Sequence, residues 1–256
     1  MPTPDLIDAH SHLDFEVFDI DRDEVLQRAA ENHISNIIIP GTQKKYWARI
    51  ERLCSSHKNL HPCYGLHPYW VNQHTQHNLD DLRKYIRTNK PVAVGECGLD
   101  FRTQQADKKT QLDFFEGQLK IALDYQLPAV IHSVKATETV IETLKKYKNI
   151  TGMIHSYSGS HEQAKQLIDL GFYISVGGSV TYERANKIKK TVTEIPLTSL
   201  LLETDAPDQT DKSNQSKRNE PSFLINTLKT ISELREESYE EIAEQTTVNA
   251  KKLFKL

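Results

Sequence analysis

The sequence has few cysteines and no long hydrophobic run, and each absence excludes a class of protein. Its 256 residues include only Cys54, Cys63 and Cys97, an odd number without a C-x-x-C pair. This excludes a disulfide framework and indicates a reducing compartment. No run approaches the roughly 18 apolar residues that span a bilayer, and the first residues lack a basic segment followed by an apolar one. We therefore expect a cytoplasmic protein without a membrane segment.

Charge of one sign is not in large excess either. The formal net charge is −3, so no overall positive field attracts polyanions. If nucleic acid is the substrate, a local site must capture it. Apolar residues make up 38% and charged residues 26% of the chain, a globular rather than a disordered composition. Without repeats, low-complexity blocks or Pro/Gly/Ser-rich linkers, the chain is predicted to form a single domain over 1–256.

Short apolar runs that carry β-branched residues alternate with longer segments of helical period. This alternation predicts a parallel sheet with helices outside it. Two predicted helix starts have the form of a capping box, Ser160 with Gln163 and Ser238 with Glu241. The eight predicted strands are 6–10, 36–40, 62–66, 92–96, 129–132, 152–155, 172–176 and 200–204. The predicted helices are 22–32, 44–56, 79–88, 108–125, 137–147, 161–169, 182–192, 221–235 and 239–254.

The number of repeats selects between two α/β architectures. Eight strand–helix repeats within about 200 residues fit a closed (β/α)8 TIM barrel better than an open sheet. The alternative is a doubly wound sheet, but no Gly-rich phosphate loop follows the first predicted strand. We therefore predict the α/β class and a (β/α)8 TIM barrel.

Residues that bind metals stand at the ends of several predicted strands. His10 and His12 are two apart at the end of the first strand, so they project in the same direction. Parallel strands of a barrel bring their carboxyl ends into one ring, where barrel active sites lie. Imidazole and carboxylate together suit Zn²⁺, Mn²⁺ or related ions, and six such ligands suit two ions that share a carboxylate. Each histidine alone has a structural alternative. The other candidates are Glu96, His132, His155 and Asp205.

At these residues the sequence resembles the TatD family of metal-dependent deoxyribonucleases, within the wider amidohydrolase-like barrels. The resemblance runs nearly end to end. It is carried by the segments 10–14 (HSHLD), 65–68 (GLHP), 95–100 (GECGLD), 127–133 (LPAVIHS), 154–159 (IHSYSG), 203–207 (ETDAP) and 219–221 (NEP). The segment 175–182 (SVGGSVTY) is similar to a YjjV-like branch of the family.

The resemblance implies a ligand set and an activity. One divalent ion, Zn²⁺, Mg²⁺ or Mn²⁺, is expected on His10, His12, Glu96 and Asp205. A second is expected on Glu96, His132 and His155, so that Glu96 bridges the two. The implied reaction is hydrolysis of DNA phosphodiester bonds from single-stranded or frayed ends, with DNA as the partner and no obligate protein partner. Asp205 is interpreted as the general base, with Glu96 as the second catalytic carboxylate.

Several other residues near the predicted strand ends have more than one interpretation. Glu203 either supports the ligands from below or is structural. His67 binds a phosphate oxygen, protonates a leaving alkoxide, or is a structural loop histidine. Tyr69 and Trp70 stack on a base or pack within their loop. Cys97 is expected to face outward into the core.

The substrate is predicted less directly than the metal ligands. Besides His67, we interpret Lys135 and Arg218 as substrate-binding, although many relatives carry an arginine after the fifth-strand His-Ser pair where Val134 and Lys135 stand here. Asp208 and the polar loop 209–217 replace an aromatic residue that relatives often have. The acidic net charge motivates an alternative substrate on the same centre, such as a small ester, a lactone or an aminoacyl-tRNA. A third hypothesis is a barrel that binds metal or a partner without catalysis.

Overall fold

The computed structural model describes residues 4–102 and 107–256. In these ranges eight parallel strands pair in chain order, from β1 to β8. The backbone N–H of Ala9 donates to the Leu202 carbonyl at 2.9 Å, which joins the first strand to the last. The sheet is therefore a nearly closed barrel, and the predicted TIM barrel is confirmed. The strands are β1 Leu6–Asp8, β2 Ile34–Ile39, β3 Leu60–Tyr64, β4 Ala93–Asp100, β5 Ala129–Val134, β6 Gly152–Ile154, β7 Phe172–Val176 and β8 Leu200–Leu202.

Helices follow the strands, as the alternating pattern predicts. Both capping boxes are confirmed, at Ser160 and at Ser238. The seventh helix begins at Asn186, later than the predicted 182, because the 3-10 turn at Gly178–Thr181 is followed by a non-helical turn over 182–185. The α-helices are α1 Arg22–Glu31, α2 Trp47–Ser56, α3 His77–Asn89, α4 Lys108–Tyr125, α5 Thr137–Leu144, α6 His161–Asp169, α7 Asn186–Glu194, α8 Leu224–Leu234 and α9 Tyr239–Phe254. None of them, within the described ranges, is long and apolar enough to cross a membrane.

Buried apolar residues form two layers. The larger layer lies between the strands and the surrounding helices, and Cys97 packs in it as expected. The smaller layer lies inside the barrel near the strand starts, and we call it the floor. It closes one end of the barrel with side chains from the last helix, so the site must lie at the opposite end. The floor contains Ile7, Ile38, Val130, Met153 and Leu201 of the strands together with Ala250, Leu253 and Phe254 of α9.

A bulge in β4 turns Glu96 into the barrel. Val94 pairs with Ala129 and Cys97 pairs with Ile131, so β4 uses one more residue than β5 between the two pairs. Strict alternation from Ala93, which lies in the floor, would point Glu96 outward. Gly95 makes the bulge possible, because its φ is +151° and a Cβ there would lie 2.7 Å from that of Val130.

Candidate metal centre

His10 and His12 lie just beyond the first strand rather than on it. β1 ends at Asp8, whose carboxylate accepts a hydrogen bond from the His10 backbone N–H at 3.2 Å. The His12 backbone N–H donates to the Ala206 carbonyl at 2.7 Å. These bonds hold the segment between its neighbours, and the two Nε2 atoms lie 3.3 Å apart. The predicted common direction of the two rings is therefore present, although the strand is shorter than predicted.

One oxygen of Glu96 and one of Asp205 meet these two histidines. Glu96 Oε2 lies 3.3 Å from His10 Nε2 and 3.5 Å from His12 Nε2. Asp205 Oδ1 lies 3.5 Å from His10 Nε2 and 3.6 Å from His12 Nε2. We call these four side chains the first donor set. Two nitrogens and two oxygens converge here on one point within the barrel mouth.

The other oxygen of Glu96 meets a second group of histidines. Glu96 Oε1 lies 2.9 Å from His155 Nε2 and 3.0 Å from His132 Nδ1. His67 Nε2 lies 3.1 Å from the same oxygen, so this residue, predicted to contact substrate, joins the ring of donors. We call Glu96 Oε1, His132, His155 and His67 the second donor set. All six predicted metal-binding side chains are thus brought together, with one carboxylate between two groups.

Carboxylates stand behind two of the histidines. Asp100 Oδ2 lies 3.2 Å from His132 Nε2, and Glu203 Oε1 lies 3.6 Å from His155 Nδ1. Glu203 also accepts hydrogen bonds from the Ser156 N–H and the Ser175 hydroxyl, both at 2.5 Å. Such partners orient a ligand ring from behind, which corresponds to the supporting interpretation of Glu203. Sequence reasoning missed Asp100, although its even spacing from Glu96 along one strand places both on one face.

The charges of the site hold protons on some histidines and remove them from others. Burial alone raises the pKa of Glu96, but His155, His67 and His10 hold it well below its usual range. Burial is the largest single influence on His12 and lowers its pKa, but the hydrogen bond and charge of Glu96 together with the charges of Asp205 and Asp14 outweigh it and raise the pKa to about 9. For His155, contacts with Glu96 and Glu203 likewise outweigh burial and raise the pKa, whereas burial lowers the pKa of His10. A carboxylate thus remains ionised inside the barrel and requires positive charge beside it.

The donor chemistry fits divalent cations. Three groups of three histidine and glutamate side chains have ligand atoms that all lie within 4.8 Å of one another. His10 and His12, like His132 and His155, direct ring nitrogens at each other at 3.3 and 3.0 Å, an arrangement that a shared cation explains. Metal binding would displace the protons that the carboxylates otherwise hold on these rings.

A cavity of about 670 Å³ opens over the two donor sets. Phe15 lines it and stacks on the His12 ring, with centroids 4.6 Å apart. Tyr69 and Trp70 also line it, and Tyr69 is 40% exposed. Gln209 lines it as well and donates from Nε2 to Asp205 Oδ2. Sequence reasoning missed Gln209, because a glutamine in a polar loop carries no signal of its own.

Two of the predicted substrate-binding cations do not line this cavity. Lys135 is exposed and lies outside the described lining residues. The Arg218 guanidinium pairs with both oxygens of Asp21 at 2.9 and 2.6 Å and donates to the Val17 carbonyl at 2.6 Å. The structure therefore brings neither side chain to the donor sets. Arg102 lines the cavity instead, and its guanidinium contacts Asp100.

A barrel with paired donor sets at its mouth defines a class of metal-dependent hydrolases. The chain belongs to the TatD family, since the family described as TatD related DNase matches residues 7–255. Its resemblance to that family is confirmed over nearly the whole chain.

Individual relatives point to the YjjV-like branch. YjjV of Escherichia coli K12, named an uncharacterized metal-dependent hydrolase, is 38% identical over 251 residues, which are 97% of both chains. YabD of Bacillus subtilis 168 carries the same description and is 36% identical over 253 residues, 98% of this chain and 99% of YabD. The crystal structure of E. coli YjjV superposes with a TM-score of 0.94 over 98% of both chains at 36% identity. The chain is therefore similar to metal-dependent hydrolases along its whole described length.

Proposed function

We propose that this protein is a two-metal nuclease that hydrolyses DNA phosphodiester bonds from single-stranded or frayed ends. The observation that carries the proposal is the Glu96 carboxylate, whose two oxygens face separate donor sets at 3.3 and 2.9 Å from the first nitrogen of each. In this proposal His10, His12, Glu96 and Asp205 hold one ion. Glu96, His132 and His155 hold the other. When bound, such a pair of ions makes water more acidic and neutralises charge on the attacking and leaving oxygens.

Asp205 is the general base of the proposed reaction. Its Oδ1 faces the first donor set, and its Oδ2 accepts a hydrogen bond from Gln209. The Gln209 Oε1 in turn accepts a hydrogen bond from the Ser156 hydroxyl at 2.6 Å, which anchors the amide across the cavity. These contacts fix the plane of the carboxylate while it takes a proton from the attacking water.

His67 is assigned to a phosphoryl oxygen rather than to the leaving alkoxide. Its Nδ1 accepts a hydrogen bond from the Tyr69 backbone N–H at 3.0 Å, so its proton lies on Nε2, toward the donor sets. Burial lowers the pKa of His67 to about 4, which leaves the ring neutral at physiological pH. A neutral imidazole is a weak acid but a good hydrogen-bond donor. Its Nε2–H meets Glu96 Oε1 at 3.1 Å in this structure, and in this proposal it donates to an anionic substrate oxygen when metal ions hold the carboxylate.

Aromatic residues at the cavity support a substrate with unpaired bases. Phe15, Tyr69 and Trp70 all line the cavity, and Tyr69 is 40% exposed. Base–aromatic stacking is worth about 1–3 kcal/mol per base and tolerates any sequence. A strand end, whose bases are unstacked, gains most from such contacts.

One observation favours a different substrate on the same centre. Among the described lining residues Arg102 is the single Lys or Arg, against four carboxylates, Glu96, Asp100, Asp205 and Asp208. With a net charge of −3, the chain offers little attraction to a long polyanion. Hydrolysis of a small ester or a lactone is therefore the second candidate.

An end-labelled oligonucleotide distinguishes the two candidates. Single-stranded and frayed duplex forms are incubated with Mg²⁺, Mn²⁺ or Zn²⁺, beside neutral esters and lactones. We expect stepwise shortening from one end, lost in Glu96→Gln and kept in His77→Ala, a control whose side chain is 70% exposed. DNA that stays intact with every metal contradicts the nuclease, and ester turnover under the same conditions then supports the alternative.

A further inference from the structure

Arg102 is fixed in place by the carboxylate that also orients a metal-ligand histidine. The Asp100 Oδ1 accepts from the Arg102 backbone N–H at 2.9 Å and from its Nε at 3.4 Å. The Asp100 Oδ2 accepts from Nη2 at 3.0 Å and lies 3.2 Å from His132 Nε2. Asp100 itself is 2% exposed. The guanidinium is thus anchored beside the second donor set.

The remaining edge of this guanidinium is available to a ligand. The Arg102 side chain is 58% exposed and lines the cavity. Nε and Nη2 are bound to Asp100, whereas Nη1 has no hydrogen-bond partner within the described part of the chain. A planar guanidinium held on one edge presents its other N–H groups in a fixed direction, which suits phosphate oxygens.

Because negative charges line the cavity, the positive charge of Arg102 is important for binding anionic substrates. The lining contains Glu96, Asp100, Asp205 and Asp208, so an approaching phosphodiester meets several negative charges. The two cations that sequence analysis assigned to substrate lie elsewhere: Lys135 is exposed outside the lining, and Arg218 pairs with Asp21. A neutral ester needs no compensating charge, whereas an anionic diester does.

We propose that Arg102 is the specificity-determining residue that selects a negatively charged phosphodiester over a neutral ester in this site. The inference rests on the proposed phosphodiesterase function and names the residue that gives it its preference. Arg102 binds a non-bridging phosphoryl oxygen through Nη1, while Asp100 keeps the guanidinium in place.

Two substrates that differ only in charge test this role. Bis(p-nitrophenyl) phosphate is an anion, and its methyl ester is a neutral triester with the same leaving group. In metal-loaded protein we expect Arg102→Met to lower kcat/KM for the diester by about 10- to 100-fold, the loss of a charged hydrogen bond. For the triester, kcat/KM should change by less than about 3-fold. Arg102→Lys keeps the positive charge but loses the planar pair of N–H donors, so its kcat/KM for the diester should lie between those of wild type and Arg102→Met.

Two controls separate recognition from structure and from overall charge. Lys109→Met removes one positive charge from a side chain that is 85% exposed, and both substrates should keep their wild-type rates. Asp100→Asn disturbs both His132 and the Arg102 guanidinium, so it should weaken metal binding and lower the rates on both substrates, with the larger loss on the diester. Equal losses on both substrates in Arg102→Met, or no loss on either, would overturn the proposal.

A binding measurement keeps the test independent of turnover. Dimethyl phosphate is titrated calorimetrically into metal-loaded wild-type and Arg102→Met protein. Weaker binding by about 10-fold or more in the variant supports the assignment, and equal binding overturns it. If wild-type protein hydrolyses only the triester, the proposed nuclease function fails, and the calorimetric result still decides whether Arg102 recognises a phosphate monoanion.

Discussion

Gln111 and Gln118 lie two helical turns apart on α4, and each pairs through its side-chain amide with the backbone of one residue beside the metal centre. Gln111 accepts from the Asp100 N–H at 2.8 Å and donates to its carbonyl at 2.9 Å. Gln118 accepts from the Leu66 N–H at 2.7 Å and donates to its carbonyl at 3.0 Å. One helix therefore anchors both the residue before His67 and the carboxylate behind His132.

Replacing Gln118 tests how much its hydrogen bonds to the Leu66 backbone contribute to the stability of the fold. Gln118→Met should lower the free energy of unfolding by about 2–4 kcal/mol, because two buried backbone groups lose their partners. Urea denaturation measures the change. Lys120→Met, an exposed position on the same helix, should stay close to wild type. Similar midpoints for the two variants would show that the glutamine contributes nothing.

Metal content distinguishes Glu96, which belongs to both donor sets, from Asp205, which belongs to the first set alone. Glu96→Gln should lose metal from both donor sets, since each set contains one of its oxygens. Asp205→Asn should lose metal from the first set alone, because its contacts are with His10 and His12. Elemental analysis after dialysis gives the stoichiometry. A Glu96→Gln protein that retains as much metal as wild type contradicts the bridging assignment.

Removing the carboxylate behind His132 should weaken metal binding. Burial alone raises the pKa of Asp100, but hydrogen bonds from His132 and Arg102 hold it below its usual range, so it is ionised at neutral pH. Asp100→Asn should reduce metal affinity about 10- to 100-fold. Competition with a chelator measures this. Asp113→Asn, an exposed carboxylate on α4, serves as the control, and equal affinities in the two variants would reject the prediction.

The contact between Gln209 and Asp205 should affect turnover more than binding. Gln209→Met keeps the size of the side chain but removes both hydrogen bonds, so the base is held less firmly. We expect kcat to fall about 10-fold with KM and metal content nearly unchanged. Gln215→Met, an exposed glutamine of the same loop, should behave as wild type. A change confined to KM would place Gln209 in substrate binding instead.

Acidic pH should weaken an ion pair between α1 and the segment that precedes α8. The Arg28 guanidinium donates to both oxygens of Glu220 at 2.8 and 2.7 Å. Burial raises the pKa of Glu220, but Arg28 and Ser222 outweigh this and lower it from the ordinary value of 4.5. A lowered folded-state pKa adds stability above that value, and the gain disappears as pH falls through the folded pKa.

Denaturation of wild type and Glu220→Gln at several pH values measures this effect. The difference in unfolding free energy between them should be largest near neutral pH and shrink below about pH 4.5. A difference that is constant over this range would mean that the ion pair contributes nothing that depends on pH.

Sequence alone predicted the barrel and the convergence of the six predicted metal-binding residues, because both follow from periodicity. Strand–helix alternation sets the architecture, and the carboxyl ends of the strands then coincide. The position of Glu96 could not be predicted in this way, since β4 has one extra residue against β5 at Gly95, where a Cβ would clash with Val130 on the neighbouring strand. Such contacts between strands do not show in the spacing of residues along one strand.

The roles of several loop and helix residues could not be predicted from the sequence, for a related reason. Gln118 and Gln209 act through partners far away in the chain or in loops whose conformation no pattern specifies. Arg218, predicted to face substrate, finds a bidentate partner in Asp21. A charged residue near a motif has many possible partners, and only the folded backbone selects one.

The floor of the barrel also has a consequence for synthesis. β1 is synthesised long before its partners, because Ala9 hydrogen-bonds to Leu202 and Ile7 lies in the floor with Phe254 of α9. The first strand can therefore close the barrel and cover its apolar side chains only after β8 and α9 have been synthesised. A fold built from successive local contacts covers such side chains sooner.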